Sequence, residues 1–118
     1  MLEFVTEQIK DILVIRIQLV RATLSNASLF KETLLEIIEQ NHKKIIIDCR
    51  TVEYMDSTFL GSMVVSLKKL NALDGDLKLI FSDKTSPIWV MFETTSMIKV
   101  FKCYDSIENA VEDFNTSV

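Results

Sequence analysis

Residues 44–61 read KIIIDCRTVEYMDSTFLG, and this stretch decides the fold. It begins with the apolar run Ile45–Ile47, which is typical of a strand buried on both faces. A short polar loop follows, and Asp56-Ser57-Thr58 then opens a segment with helical apolar spacing. Oxygen-bearing side chains at a helix start can cap free backbone N–H groups, and the same place can hold a phosphate.

Strand and helix patterns alternate on both sides of that central strand. Strands are predicted over residues 2–8 and 12–20, and the short turn between them predicts an antiparallel hairpin. Further segments follow by their apolar spacing: helices over about 27–41, 57–72, 88–95 and 106–114, and strands over 44–49, 77–81 and 100–104. The order ββαβαβαβα predicts an α/β fold with a mixed, mostly parallel sheet flanked by helices.

Two helix starts carry capping sequences. Ser86 followed by Pro87 is typical of a capping residue and a first helical position. Asp105 followed three residues later by Glu108 fits a capping box at the start of the last helix.

Length and composition predict a single folded domain over residues 1–118. The chain is 48% hydrophobic and 25% charged, and its net charge of −4 disfavours nucleic acid as a partner. It lacks an apolar run long enough to span a membrane, and its start does not resemble a secretory signal. We therefore expect a cytoplasmic protein that binds neither nucleic acid nor membrane, with Cys49 and Cys103 as buried, reduced thiols rather than a disulfide.

The common catalytic classes find little support in these residues. A serine nucleophile at position 57 would need a base, and His42 is the only imidazole. Glycine clusters for nucleotides and Cys/His clusters for zinc are absent from the sequence. A phospho-aspartate site at Asp48 would need an acidic pair that the chain does not offer. We expect no metal, no cofactor and no catalytic residue.

Residues 54–61, YMDSTFLG, resemble the signature of STAS domains, specifically of the bacterial anti-sigma factor antagonists, whose pattern is Met-Asp-Ser-Ser/Thr-Gly-Leu-Gly after a strand. The resemblance extends to the order of elements and to residues 97–101 and 105–110. It implies a non-enzymatic regulator that binds an anti-sigma factor with an ATP-binding serine kinase domain. It also implies that the kinase phosphorylates Ser57, with Thr58 as the weaker candidate, and that a serine phosphatase reverses this.

The same resemblance implies a partner-binding surface formed by Thr23, Asp56, Thr58, Phe59 and Gly61. Phe59 stands where the family commonly has glycine, and it is either a core residue or an exposed apolar contact. Thr23 stands in a loop where the family commonly has aspartate. Two alternatives stay open: a segment that only caps a helix, and a STAS interaction module that is not phosphorylated, such as a scaffold or a subunit of a larger assembly.

Overall fold

A computed structural model describes residues 2–116, which form an α/β fold with four α-helices. The elements are, in chain order, β1 (Phe4–Ile9), β2 (Ile12–Ile17), β3 (Arg21–Ala22), α1 (Leu24–Glu39), β4 (Lys44–Asp48), β5 (Tyr54–Met55), α2 (Ser57–Ala72), β6 (Asp76–Ile80), α3 (Pro87–Thr94), a 3₁₀ turn (Met97–Lys99), β7 (Lys102–Tyr104) and α4 (Ile107–Thr116). Apart from β3, β5 and the 3₁₀ turn, this is the predicted order.

The main sheet has the strand order β1-β2-β4-β6-β7, with β4 at its centre. β1 and β2 form the predicted antiparallel hairpin. The other neighbours are parallel, and Ile47 of β4 pairs with Ile15 on one side and Leu79 on the other. The prediction of a mixed, mostly parallel sheet is therefore confirmed.

Helices cover both faces of this sheet, which explains why its central strands carry apolar residues on both faces. We call the face covered by α1, α2 and α3 the front face; Ile45 and Ile47 point into its large core. We call the other the back face; Ile46 points there and packs with Ala110 and Phe114 of α4. Successive side chains of a strand alternate between faces, so both sets of β4 residues are buried.

Helix α1 begins at Leu24, earlier than the predicted start near residue 27. The reason is a cap at Thr23, whose hydroxyl accepts the N–H of Ser25 at 3.3 Å. The side chain of Asn26 accepts the N–H of Thr23 in return, at 3.3 Å. The polar residues before position 27 are thus the first turn of the helix and not a loop.

Two predictions near the end of the chain are corrected. The last strand spans Lys102–Tyr104 and is shorter than predicted, because the N–H groups of Val100 and Phe101 donate back to the Met97 carbonyl of the 3₁₀ turn. Helix α4 does not use the expected pair of Asp105 and Glu108. Instead, the N–H of Asn109 donates to the Ser106 hydroxyl at 3.1 Å. The cap predicted at Ser86 is confirmed, since its hydroxyl accepts the N–H of Trp89.

Within the described residues, no helix combines the length and apolarity that crossing a membrane would require.

Candidate functional site

The site is organised by a two-stranded parallel sheet that lies apart from the main one. Arg21 of β3 pairs with Tyr54 of β5, and Ala22 pairs with Met55. The N–H of Asp56 continues this ladder by donating to the Ala22 carbonyl at 3.1 Å. The starts of α1 and α2 are therefore held side by side. Two-residue strands show no alternation in a sequence, so this sheet was not predicted.

Asp56 connects the N-termini of both helices through one carboxylate. Its Oδ1 accepts the N–H of Phe59 at 2.9 Å and thereby caps α2. Its Oδ2 accepts the N–H of Leu24, the first residue of α1, at 2.7 Å. Backbone N–H groups and helix dipoles both favour a negative charge at this point.

The same contacts set the ionisation of Asp56. The hydrogen bond from the Phe59 N–H has the largest effect and lowers the pKa of this carboxyl; burial acts to raise the pKa, and donation by Leu24 and Thr58 lowers it further. The carboxylate is therefore ionised at neutral pH, and it adds a fixed negative charge beside the next residue, Ser57.

Ser57 and Thr58 are exposed on the first turn of α2. Of the other predicted site residues, Thr23 is half-buried and lies one residue before the Leu24 N–H that Asp56 binds. Gly61 lies on the same helix one turn after Ser57 and is half-buried. The structure thus brings Thr23 close to Asp56 and to the exposed Ser57 and Thr58 that follow it.

Phe59 is a core residue and not an exposed apolar contact for a partner. Its side chain is 0% exposed, and its ring stacks on Phe30 of α1 with the centroids 4.5 Å apart. Phe4 of β1 packs against both rings. In this conformation Phe59 offers no side-chain surface to a partner, so its place in the predicted partner-binding surface is corrected. Its large ring links the first turn of α2 to α1 and to the hairpin.

Exposed apolar side chains lie at β3, β5 and the start of α1, beside the backbone that Asp56 binds, and sequence reasoning missed them. Leu24 is 68% exposed, Val20 53% and Tyr54 45%. The guanidinium of Arg21 lies over the Tyr54 ring, 4.4 Å from its centroid. We call these four residues, together with Ser57 and Thr58, the Ser57 surface. No local pattern could have predicted it, because it depends on how β3 and β5 pair.

Other candidate groups have structural partners. Asp48 is nearly buried and accepts two hydrogen bonds from the Arg50 side chain, at 2.9 and 2.8 Å. Burial alone would raise the pKa of Asp48, but the Arg50 bonds hold it below the usual value. Cys49 and Cys103 are free thiols, and burial raises the pKa of Cys103 to about 11. In the part of the chain that the structure describes, no three His, Cys, Asp or Glu side chains cluster for a metal.

Comparisons with known proteins agree on this fold. The family model of the STAS domain matches residues 3–110. A relative from Thermotoga neapolitana, named as a candidate anti-sigma factor antagonist homologue, is 29% identical over 91 residues, or 76% of this chain and 79% of the relative.

Solved structures give the same result. The crystal structure of a candidate anti-sigma factor antagonist from Thermotoga maritima has a TM-score of 0.81 and 25% identity, covering 93% of this chain and 92% of that one. Phosphorylated SpoIIAA, a cell fate determinant of Bacillus, has a TM-score of 0.70 and 19% identity, covering 94% and 98%. At that identity the second match supports the fold alone.

Proposed function

Because this chain belongs to the STAS domain family, we propose that it is an anti-sigma factor antagonist that works by partner switching. Unphosphorylated, it binds an anti-sigma factor with an ATP-binding serine kinase domain. Phosphorylation at Ser57 releases it, and a serine phosphatase restores binding. The observation that carries the proposal is the exposed Ser57 hydroxyl directly after Asp56, the residue that joins both helix starts. We further propose that the protein acts in the cytoplasm by binding and not by catalysis.

The fold should tolerate a phosphate on Ser57. The phosphate adds roughly −1.5 to −2 charges at neutral pH. The helix dipole favours such a charge by about 0.3–1 kcal/mol, while the Asp56 carboxylate repels it. The two local effects oppose each other and Ser57 is exposed, so the free energy of unfolding should change little.

A partner covering the same serine would not tolerate the phosphate. Burying a dianion without a counter-charge costs several kcal/mol, and each step of about 1.4 kcal/mol is tenfold in affinity. Leu24 and Tyr54 support this picture, because a partner that buries these exposed apolar side chains also covers their neighbour Ser57. Phosphorylation then changes binding and not folding.

The test uses the purified protein with each anti-sigma-type serine kinase of its source organism. With ATP, mass spectrometry should place one phosphate on Ser57, and a Ser57→Ala variant should stay unmodified while Thr58→Ala is still modified. Without ATP, calorimetry should show that Ser57→Glu weakens kinase binding by at least about 30-fold, with a thermal midpoint within about 2 °C of wild type.

The results distinguish a phosphorylation switch from an interaction module that is not phosphorylated. Ser57→Glu binding as tightly as wild type would refute the switch. Binding of wild type without any modification by any of these kinases would instead favour the interaction module that is not phosphorylated.

A further inference from the structure

A groove lies between α1 and α2, beside the Ser57 surface. Its volume is about 370 Å³. It is lined by Ala27, Ser28 and Lys31 from α1 and by Thr58, Gly61 and Val65 from α2. Thr58 belongs to both the groove and the Ser57 surface, so a partner that covers the serine also reaches the groove.

Gly61 has no structural reason of its own to be glycine. It lies inside a helix, where glycine is less favourable than alanine. Apart from its two chain neighbours and the adjoining backbone of its own helix, no described residue comes within 4 Å of the position that a Cβ at residue 61 would take. At Gly75, in contrast, a Cβ would approach the Lys43 carbonyl oxygen to 2.6 Å. The fold itself therefore excludes a side chain at position 75 but leaves position 61 open.

The walls of the groove define what could fill this space. The Ser62 hydroxyl beneath it donates to the Thr58 carbonyl at 3.3 Å and the Ala27 carbonyl at 3.5 Å, so this polar group is already satisfied. Val65 is 45% exposed and offers an apolar wall. Lys31 is the only charged side chain among the described lining residues. The groove thus combines a small apolar cleft with one positive charge.

We infer that this groove receives a segment of the partner kinase that carries an aliphatic side chain and a neighbouring carboxylate. The aliphatic group occupies the open space over Gly61 against Val65, and the carboxylate pairs with Lys31. This inference rests on the proposed function and adds a second recognition point to it. A phosphate on nearby Ser57 would also repel that carboxylate, so both points respond to the same modification.

The test fills the groove and measures binding to the kinase that binds wild type. Gly61→Leu should weaken binding by at least about 30-fold. Ala72→Leu adds a large side chain at an exposed position of the same helix, away from the groove, and should leave binding unchanged. Gly61→Ala should raise the thermal midpoint by about 3–6 °C, which shows that the folded chain accepts a side chain there.

A charge reversal tests the carboxylate. Lys31→Glu should weaken binding by about tenfold, and more at low salt than at high salt. Lys43→Glu, an exposed lysine in the loop after α1, provides the control and should change binding little.

The results distinguish the inference from the proposed function. If Gly61→Leu binds like wild type while Ser57→Glu does not, the groove is no recognition point and the switch stands. If no kinase binds wild type, the inference about the groove and the proposed function are both refuted. A second copy of the chain could also occupy the groove. Sedimentation of wild type and Gly61→Leu without kinase measures whether each forms a dimer. A wild-type dimer that is lost in Gly61→Leu would overturn the inference.

Discussion

The front and back faces of the sheet hold their helices by different means. On the front face, α1 and α2 are joined by an aromatic cluster of Phe4, Phe30 and Phe59 inside a large apolar core. On the back face, α4 covers a small core in which the charged groups of Asp48 and Lys78 are also buried.

On the back face, a buried lysine also contacts α4. The ammonium of Lys78 lies 3.0 Å from an Asp113 oxygen of α4, and it donates to the Tyr104 hydroxyl at 3.1 Å. Burial alone would lower the pKa of Lys78, but these two partners hold it above the usual value. The lysine is therefore charged at neutral pH and is paired with α4 through Asp113.

This difference teaches where a charge switch is tolerated. The Ser57 surface lies at the end of two helices that pack through an apolar core and whose first turns both bind the Asp56 carboxylate. An added phosphate therefore lies beside the Asp56 carboxylate but does not reach the buried rings of Phe30 and Phe59 that pack the helices together. The same charge near the Lys78 network would compete with contacts that position a helix.

The largest expected effect is a loss of stability from a substitution in the core of the front face. Phe59→Ala should lower the free energy of unfolding by about 3–5 kcal/mol, because it leaves a cavity between Phe4 and Phe30. Phe114→Ala on the back face should lower it by only about 2–3 kcal/mol, since the smaller core near the end of α4 can collapse more easily. Urea unfolding measures both, with the exposed Leu29→Ala as a control expected to change little. Equal losses at Phe59 and Phe114 would contradict the distinction between the faces.

An intermediate effect is expected at the charged network. Lys78→Ala should lower the free energy of unfolding by about 2–3 kcal/mol, since it removes packing as well as charge. Lys78→Met keeps the length of the side chain and should change it by less than about 1.5 kcal/mol, because Asp76 and Asp113 remain partly exposed to water. Urea unfolding at neutral pH measures the free energy of unfolding of both variants. A Lys78→Met variant as unstable as Lys78→Ala would show that the charge itself is required.

The smallest effect concerns the pH dependence of the Asp56 carboxylate, which binds the starts of α1 and α2. The pKa of Asp56 is lowered on folding, so its contribution is present above the unfolded value of about 3.9 and is lost as the pH falls through the folded value. The thermal midpoint of wild type should exceed that of Asp56→Asn by a few degrees at pH 6. The gap should narrow as the pH falls below the unfolded pKa of about 3.9. A gap that stays constant as the pH falls would refute the role of the carboxylate.

Long elements could be predicted from the sequence because their signals are local. The apolar run at Ile45–Ile47 predicted the central strand, and the helical spacing after Ser57 predicted α2 with its observed bounds. The ends of elements were less predictable. Helix α1 begins at Leu24 because Thr23 and Asn26 bond to each other, and several polar residues there could have served as the cap.

The sequence by itself determined the order of elements, the resemblance to STAS domains and the position of Ser57 at a helix start. Only the tertiary structure decided that Asp56 also binds the start of α1, that Phe59 is buried against Phe30, and that the space above Gly61 is open. The reason is distance along the chain: Leu24 and Asp56 are separated by 32 positions. Hydrophobic periodicity and capping preferences describe neighbours in sequence, whereas these features arise from segments that meet only in the folded domain.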